Sequence, residues 1–308
     1  MEVAIMVEGQ HGLNWPRWQR MAQAVEALGF VGLYRSDHFT DPNPPDRDSL
    51  ELWVSLTWLA SHTSRIEFGS LVSPVSFRDP VFTARMGAQV DDLSGGRLTL
   101  GVGAGWQERE HHMFGYDLLD PQKRFDRFEE GLHVITRLLQ SEEPVDFDGA
   151  YYHLRQAILL PRPHRPGGPP ILIGGNGPRR TLPLVARHAD HWNGVFITGA
   201  RFAALNSRLD VLLEAEGRQP GAVIRSLMTQ VVFGRDQAEL DALVAQKAAP
   251  ADALREKGFI VGTASQVVDQ LAALEAVGVQ RVMLQWLALD DLDRLEALAH
   301  GVLPQVQG

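Results

Sequence analysis

The chain has 308 residues, 44% of them hydrophobic and 22% charged, with no cysteine and a net charge of −9. That composition fits a globular protein able to bury its own core, and the missing cysteine removes disulfides, thiolate nucleophiles and Cys-based zinc sites together. With no clustered basic face for nucleic acid, no signal-peptide pattern at the start and no apolar run near the ~20 residues of a membrane helix, a cytoplasmic protein that binds neither nucleic acid nor membrane is expected.

Short β-rich runs alternate with amphipathic helical stretches, the pattern of an α/β fold with a parallel sheet. Residues 3–7 read as the first strand. Asn14 is placed to cap the next helix, and Pro16 suits its first turn. Trp18, Met21, Ala22, Val25 and Leu28 then recur at three- and four-residue spacing, and Gly29 supplies the stop. The spacing predicts strand two at 30–34, helix two at 50–60, strand three at 66–72, helix three at 80–93 and strand four at 98–102. A strong helix follows at 124–139, then strand five at 171–173, a helix opened by Pro178 at 178–188, strand six at 192–196 and a helix at 200–216. Residues 223–233 are β-rich and 236–248 helical. Thr263 and Gln266 form a capping box for a helix that stops at Gly278. Residues 282–286 make the last strand and 292–302 the last helix.

Eight strand-like runs suffice to close a (β/α)8 TIM barrel; an open doubly wound sheet is the competing arrangement. A single domain over 1–308 is expected, with loop insertions at the C-terminal face. One, at about 145–168, holds a small hairpin and a proline-rich linker. The other, at about 249–262, reads as mobile.

In a parallel barrel, catalytic groups sit where strands end. After strand two come Asp37 and His38, an acid/base pair near neutral pH; the plainer alternative is a histidine bonded to backbone with Asp37 capping a loop. After strand four, Gly101, Gly103 and Gly105 allow close backbone approach to a planar or phosphorylated ligand, or simply relieve crowding. Trp106 would stack on a ring or pack under a loop. Of Glu108, Glu110, His111 and His112, three resemble metal ligands on paper, but a solvated helix start explains them, and no metal is expected. After strand five, Gly174, Gly175, Asn176 and Gly177 run into the helix at Pro178, where free amides and the positive helix end favour an anion, with Arg179 and Arg180 adding charge.

These segments together resemble the luciferase-like superfamily over nearly the whole chain. The matching stretches are 29–39, 79–97, 101–106, 174–179 and 186–193. Within it the sequence is similar to the branch of oxidoreductases dependent on the deazaflavin F420. The resemblance implies a luciferase-like barrel, hydride transfer to or from a small organic substrate, and His38 beside the deazaflavin ring with Asp37 contacting ring or partner. It also implies a non-proline cis peptide ending strand three, by position between Ser70 and Leu71, behind a ring that Ala104, Gly105 and Trp106 also border. Residues 174–177 would hold the cofactor phosphate. Sugar-phosphate dehydrogenases of this branch carry a glutamate where Trp106 stands, so a more apolar pocket is implied. The alternatives are an FMN-dependent monooxygenase and a flavin-binding barrel without activity. A homodimer through helices two and three is expected, because Leu50, Leu52, Trp53, Leu56, Trp58 and Leu59 exceed what one buried face requires, unless that helix faces the core.

Overall fold

The computed structural model describes residues 1–247 and 249–306. The strands in chain order are β1 (Glu2–Val7), β2 (Gly32–Arg35), β3 (Glu67–Ser70), β4 (Ser73–Pro74), β5 (Leu98–Gly103), β6 (Val145–Asp148), β7 (His153–Ala157), β8 (Ile171–Gly174), β9 (His191–Val195), β10 (Ile224–Phe233), β11 (Ile260–Gly262) and β12 (Arg281–Gln285). The α-helices are α1 (Trp15–Leu28), α2 (Leu52–His62), α3 (Pro80–Ser94), α4 (Glu108–Phe114), α5 (Pro121–Gln140), α6 (Thr181–His188), α7 (Gly199–Ala215), α8 (Gln237–Ala245), α9 (Ala251–Glu256), α10 (Ala264–Ala276) and α11 (Leu292–Val306).

Eight parallel strands close on themselves in the order β1, β2, β3, β5, β8, β9, β10, β12 and back to β1. The open doubly wound alternative is thereby ruled out. Each strand alternates between two cores. Ala4, Met6, Tyr34, Leu71, Leu172, Met228 and Met283 fill the barrel interior, while the opposite faces pack against the helical ring. The N-terminal end is plugged by Arg281, 3% exposed, which pairs with Glu2 and Glu67 at 2.6 Å each and donates to Tyr34 Oη at 2.8 Å.

The local signals that set these elements are simple. Asn14 caps α1 by accepting from Arg17 N, and Gly29 ends it at φ +90°. Thr263 and Gln266 form the capping box of α10. The expected hairpin is the antiparallel pair β6 and β7.

Four expectations change. The stretch 249–262 is not a mobile insertion: it forms α9 and then β11, which pairs in parallel with Val231, Val232 and Phe233. Helix α6 starts at Thr181 rather than Pro178. Asn176 clamps the intervening loop to the end of β9, donating to Val195 O at 2.7 Å and accepting from Val195 N at 2.9 Å. The surplus of apolar residues on α2 is spent inside the chain: Leu52, Trp53, Leu56 and Leu59 are buried, and Trp58 packs on Trp15 and His62. The cis peptide falls at Leu71-Val72, one bond later than expected. The helix expected over 236–248 spans Gln237–Ala245; position 248, like 307 and 308 of the expected domain, lies outside the described residues.

Candidate active site

A cavity of about 610 Å³ opens at the C-terminal mouth of the barrel, within the range of ligand pockets. Strand ends supply its floor: Met6 on β1 and Glu8 after it, Ser36 and His38 after β2, Leu71 and Val72 after β3, Asn193 and Val195 on β9, and Met228 on β10. The glycine run after β5 and the loop after β8 supply two walls, and Phe125, Phe128 and Phe196 add apolar surface.

His38 is the titratable centre. Its side chain is 17% exposed, and its Nδ1 lies 2.7 Å from Glu110 Oε1, whose residue is 1% exposed. The other Glu110 oxygen accepts from Phe39 N at 2.9 Å. Burial alone pushes the imidazole toward neutrality, but the Glu110 hydrogen bond and charge, aided by Glu8 and Asp37, outweigh it and hold His38 above its ordinary value. Nδ1 is occupied, so Nε2 is the nitrogen left for exchange with a ligand. The Trp106 ring, 59% exposed, stands edge-on to His38 at 5.4 Å between centroids.

Glu110 was expected on a solvated helix start; instead it is buried. Gln107, the N-cap of α4, and Glu110 and His111 on the helix lie to one side and are 2%, 1% and 2% exposed. His111 is fixed at both nitrogens, 2.7 Å from Ser76 Oγ and 2.7 Å from Gln107 O. The readable signal was the i, i+3, i+4 spacing: polar residues at positions where a helix meets its protein face point to a site, not to solvent.

The cavity brings together His38, Leu71, Ala104, Gly105, Trp106, Gly174 and Gly175. The remaining predicted positions sit behind its walls. Asp37 is 3% exposed and turned to Arg78, with which it forms an ion pair, and to Ser73 Oγ at 2.8 Å. Its carboxylate orders the β2 end and is not a cavity-lining acid. Ser70 donates to Gly101 O at 2.7 Å. Asn176 is the clamp described above, and Gly177 O accepts from Leu182 N at 3.0 Å. Arg179 is exposed beside the loop.

Residues not foreseen complete the pocket. Asn193 is fully buried; its Nδ2 donates to Ser226 Oγ at 2.9 Å, while its Oδ1 has no partner. Glu8 is held by Gln285 at 2.5 Å and Gln10 at 3.1 Å. Arg124 lines the wall and braces it through the carbonyls of Gly105, Leu118 and Leu119. Among the described residues, no group of three or more His, Asp and Glu side chains is placed to hold a metal ion.

The barrel and its mouth cavity define a protein of the luciferase-like type. The sequence matches the luciferase-like monooxygenase family over residues 1–249, and the chain belongs to that family. It is 32% identical over 224 residues to an F420-dependent glucose-6-phosphate dehydrogenase of Kineococcus radiotolerans, a match covering 71% of this chain and 64%, less than two thirds, of that relative. It is 30% identical over 272 residues to an F420-dependent hydroxymycolic acid dehydrogenase of Mycobacterium tuberculosis, covering 86% of this chain and 70% of the relative. In fold it is similar to an F420-dependent secondary alcohol dehydrogenase solved with an F420-acetone adduct, at a TM-score of 0.86 and 18% identity, over 100% of this chain and 99% of the other.

Proposed function

We propose that the chain is an F420-dependent oxidoreductase that moves a hydride between the deazaflavin and a small organic substrate, with His38 handling the proton. The observation that carries this reading is the buried His38–Glu110 pair facing a cavity large enough for a tricyclic ring. The two relatives named as F420-dependent dehydrogenases support the choice of cofactor.

The residues present fit such a group. A Cβ on Gly103 would lie 2.6 Å from Val72 Cγ2, and Gly105 sits at φ +86°, so the wall is thin because no side chain fits there. Asn193 Oδ1 is a buried acceptor in need of a donor. The amides of Asn176, Gly177 and Thr181 donate to no backbone carbonyl among the described residues, so they are free for a phosphate. Val72, Ala104, Gly174 and Asn193 would hold the group.

When bound, the deazaflavin accepts or supplies the hydride at its ring. In the oxidising direction His38 Nε2 takes the hydroxyl proton of the substrate as its carbon gives up hydride; in reduction the same nitrogen returns the proton to oxygen. Glu110 steadies the imidazolium formed in the first case. Phe125, Phe128 and Phe196 keep water from the exchange. A positioned acid/base is worth roughly 10²–10⁴-fold in rate, so His38→Ala is expected to lose turnover on that scale while cofactor affinity, read by fluorescence quenching, stays within about twofold. Undiminished turnover would sink the assignment. Titration with FMN beside F420 separates the two cofactors: tighter F420 binding supports the proposal, and tighter FMN binding replaces it with a monooxygenase.

The homodimer is part of the proposal. Val54 on α2 and Phe82 and Leu93 on α3 are 56%, 64% and 53% exposed, apolar groups those helices leave uncovered. Light scattering at micromolar concentration tests it; a monomer there would refute it.

A further inference from the structure

Charge is unevenly spread over this acidic chain. It carries 38 acids and a net charge of −9, yet Asp190 is the one acid between positions 171 and 209, against five arginines. Those positions form β8, its glycine loop, α6, β9 and the first part of α7; as far as Phe196 they line one side of the cavity. Asp190 is not at the mouth: its Oδ2 accepts from Ile171 N, at the start of β8 and the opposite end of the barrel.

Two of the five arginines are neutralised from α5, Arg180 by Asp126 at 3.2 Å and Arg187 by Glu129. Arg179, Arg201 and Arg208 have no carboxylate within 4.0 Å among the described residues. Their positions are linked. Arg208 Nε donates to Pro178 O at 2.8 Å, which ties α7 to the residue next to Arg179. Arg201 precedes Arg208 by two helical turns and so shares its face. It lies in the first turn of α7, where Thr198 caps the helix just after the cavity-lining Phe196. The three exposed arginines thus stand on the glycine loop's far end and on the face of the helix tied to it.

We propose that Arg179, Arg201 and Arg208 bind the acidic tail of the deazaflavin as it leaves the glycine loop. This rests on the F420 reading above and deepens it. The complementarity is chemical: beyond its phosphate the deazaflavin carries a chain of carboxylates, and arginine pairs with carboxylates through charge-assisted hydrogen bonds. FMN ends at its phosphate and would leave the three arginines bare.

The test is a fluorescence titration of the folded protein with two forms of the coenzyme, one with several tail glutamates and one with none, at low and high sodium chloride. The wild type should bind the tailed form about tenfold more tightly at low salt, with the gap closing as salt screens the pairs. Arg201→Glu should abolish the gap and leave binding of the tail-free form unchanged; Arg201→Lys should keep most of it. Equal affinity of the wild type for both forms, or a gap that survives Arg201→Glu, would overturn the tail site and leave the proposed function standing. Failure of both forms to bind would overturn the F420 reading itself, and the tail site with it.

Discussion

At the scale of single residues, the balance around His38 has a consequence for rate against pH. Burial opposes the charged imidazole, and Glu110 more than offsets it. Glu110→Gln keeps a hydrogen-bonding side chain but removes the charge, so the cause that lowers the imidazole pKa is left in control and the His38 pKa falls. Oxidation needs the neutral base and gains rate as pH rises through that value; reduction needs the imidazolium and loses it. In both directions the midpoint is expected to move to lower pH in Glu110→Gln, while a residue that merely holds α4 in place would lower the rate at every pH without moving it. Steady-state kinetics across pH decide between these. Asp37 offers the contrasting case. It stands next to His38 in sequence, yet its carboxylate is engaged by Arg78 and Ser73, so Asp37→Asn should lower stability first and turnover only through the position of the β2 end. Equal melting temperatures with lost turnover would reverse that order.

At the scale of elements, β5 tolerates no side chain where it crosses β3. A Cβ on Gly101 would sit 1.9 Å from Ser70 O, a backbone atom that cannot move without breaking the ladder. Gly101→Ala is expected to cost roughly 3 kcal/mol or more, beyond ordinary overpacking, visible as a large fall in thermal midpoint. Unaltered melting would show that the sheet can yield there. The same stretch explains what the sequence made legible. Glycine spacing, caps and period-two runs are local, so the eight strands, the Asn14 and Thr263 caps and the glycine walls could be read before the structure. The start of α6 could not: Pro178 is an acceptable first residue of a helix, and only the clamp of Asn176 on Val195, nineteen residues away, delays it. Strand β11 was hidden because three residues carry too little periodicity. The pairing of Glu110 was hidden, though its buried face was not, because its partner, His38, lies 72 positions away.

At the scale of the whole molecule, five buried or half-buried histidines couple folding to pH, and not all with the same sign. His191, 5% exposed at the start of β9, is pushed down to about 4 by burial and then by Arg281, and its Nδ1 has no partner. His188 is also pushed to about 4, by burial and then by His133, Arg187 and Arg218. Both bind a proton less readily folded than unfolded. Between about pH 6.5 and 4 the unfolded chain therefore holds more protons, and stability falls as pH falls through that window, by up to about 1.4 kcal/mol per unit for a fully buried group such as His191. His38 runs the other way. Its folded value is raised, so its contribution is complete below the unfolded value and is lost as pH rises through the folded one. His111 and His133 are lowered by burial as well, so four depressed histidines against one raised predict a lower thermal midpoint at pH 5 than at pH 7.5. His191→Asn removes one of the depressed groups at the barrel's N-terminal end, far from the mouth, and should flatten the slope between those pH values with no change in the pH dependence of turnover. A slope as steep as that of the wild type would mean that the acid sensitivity of the fold arises elsewhere, among its carboxylates.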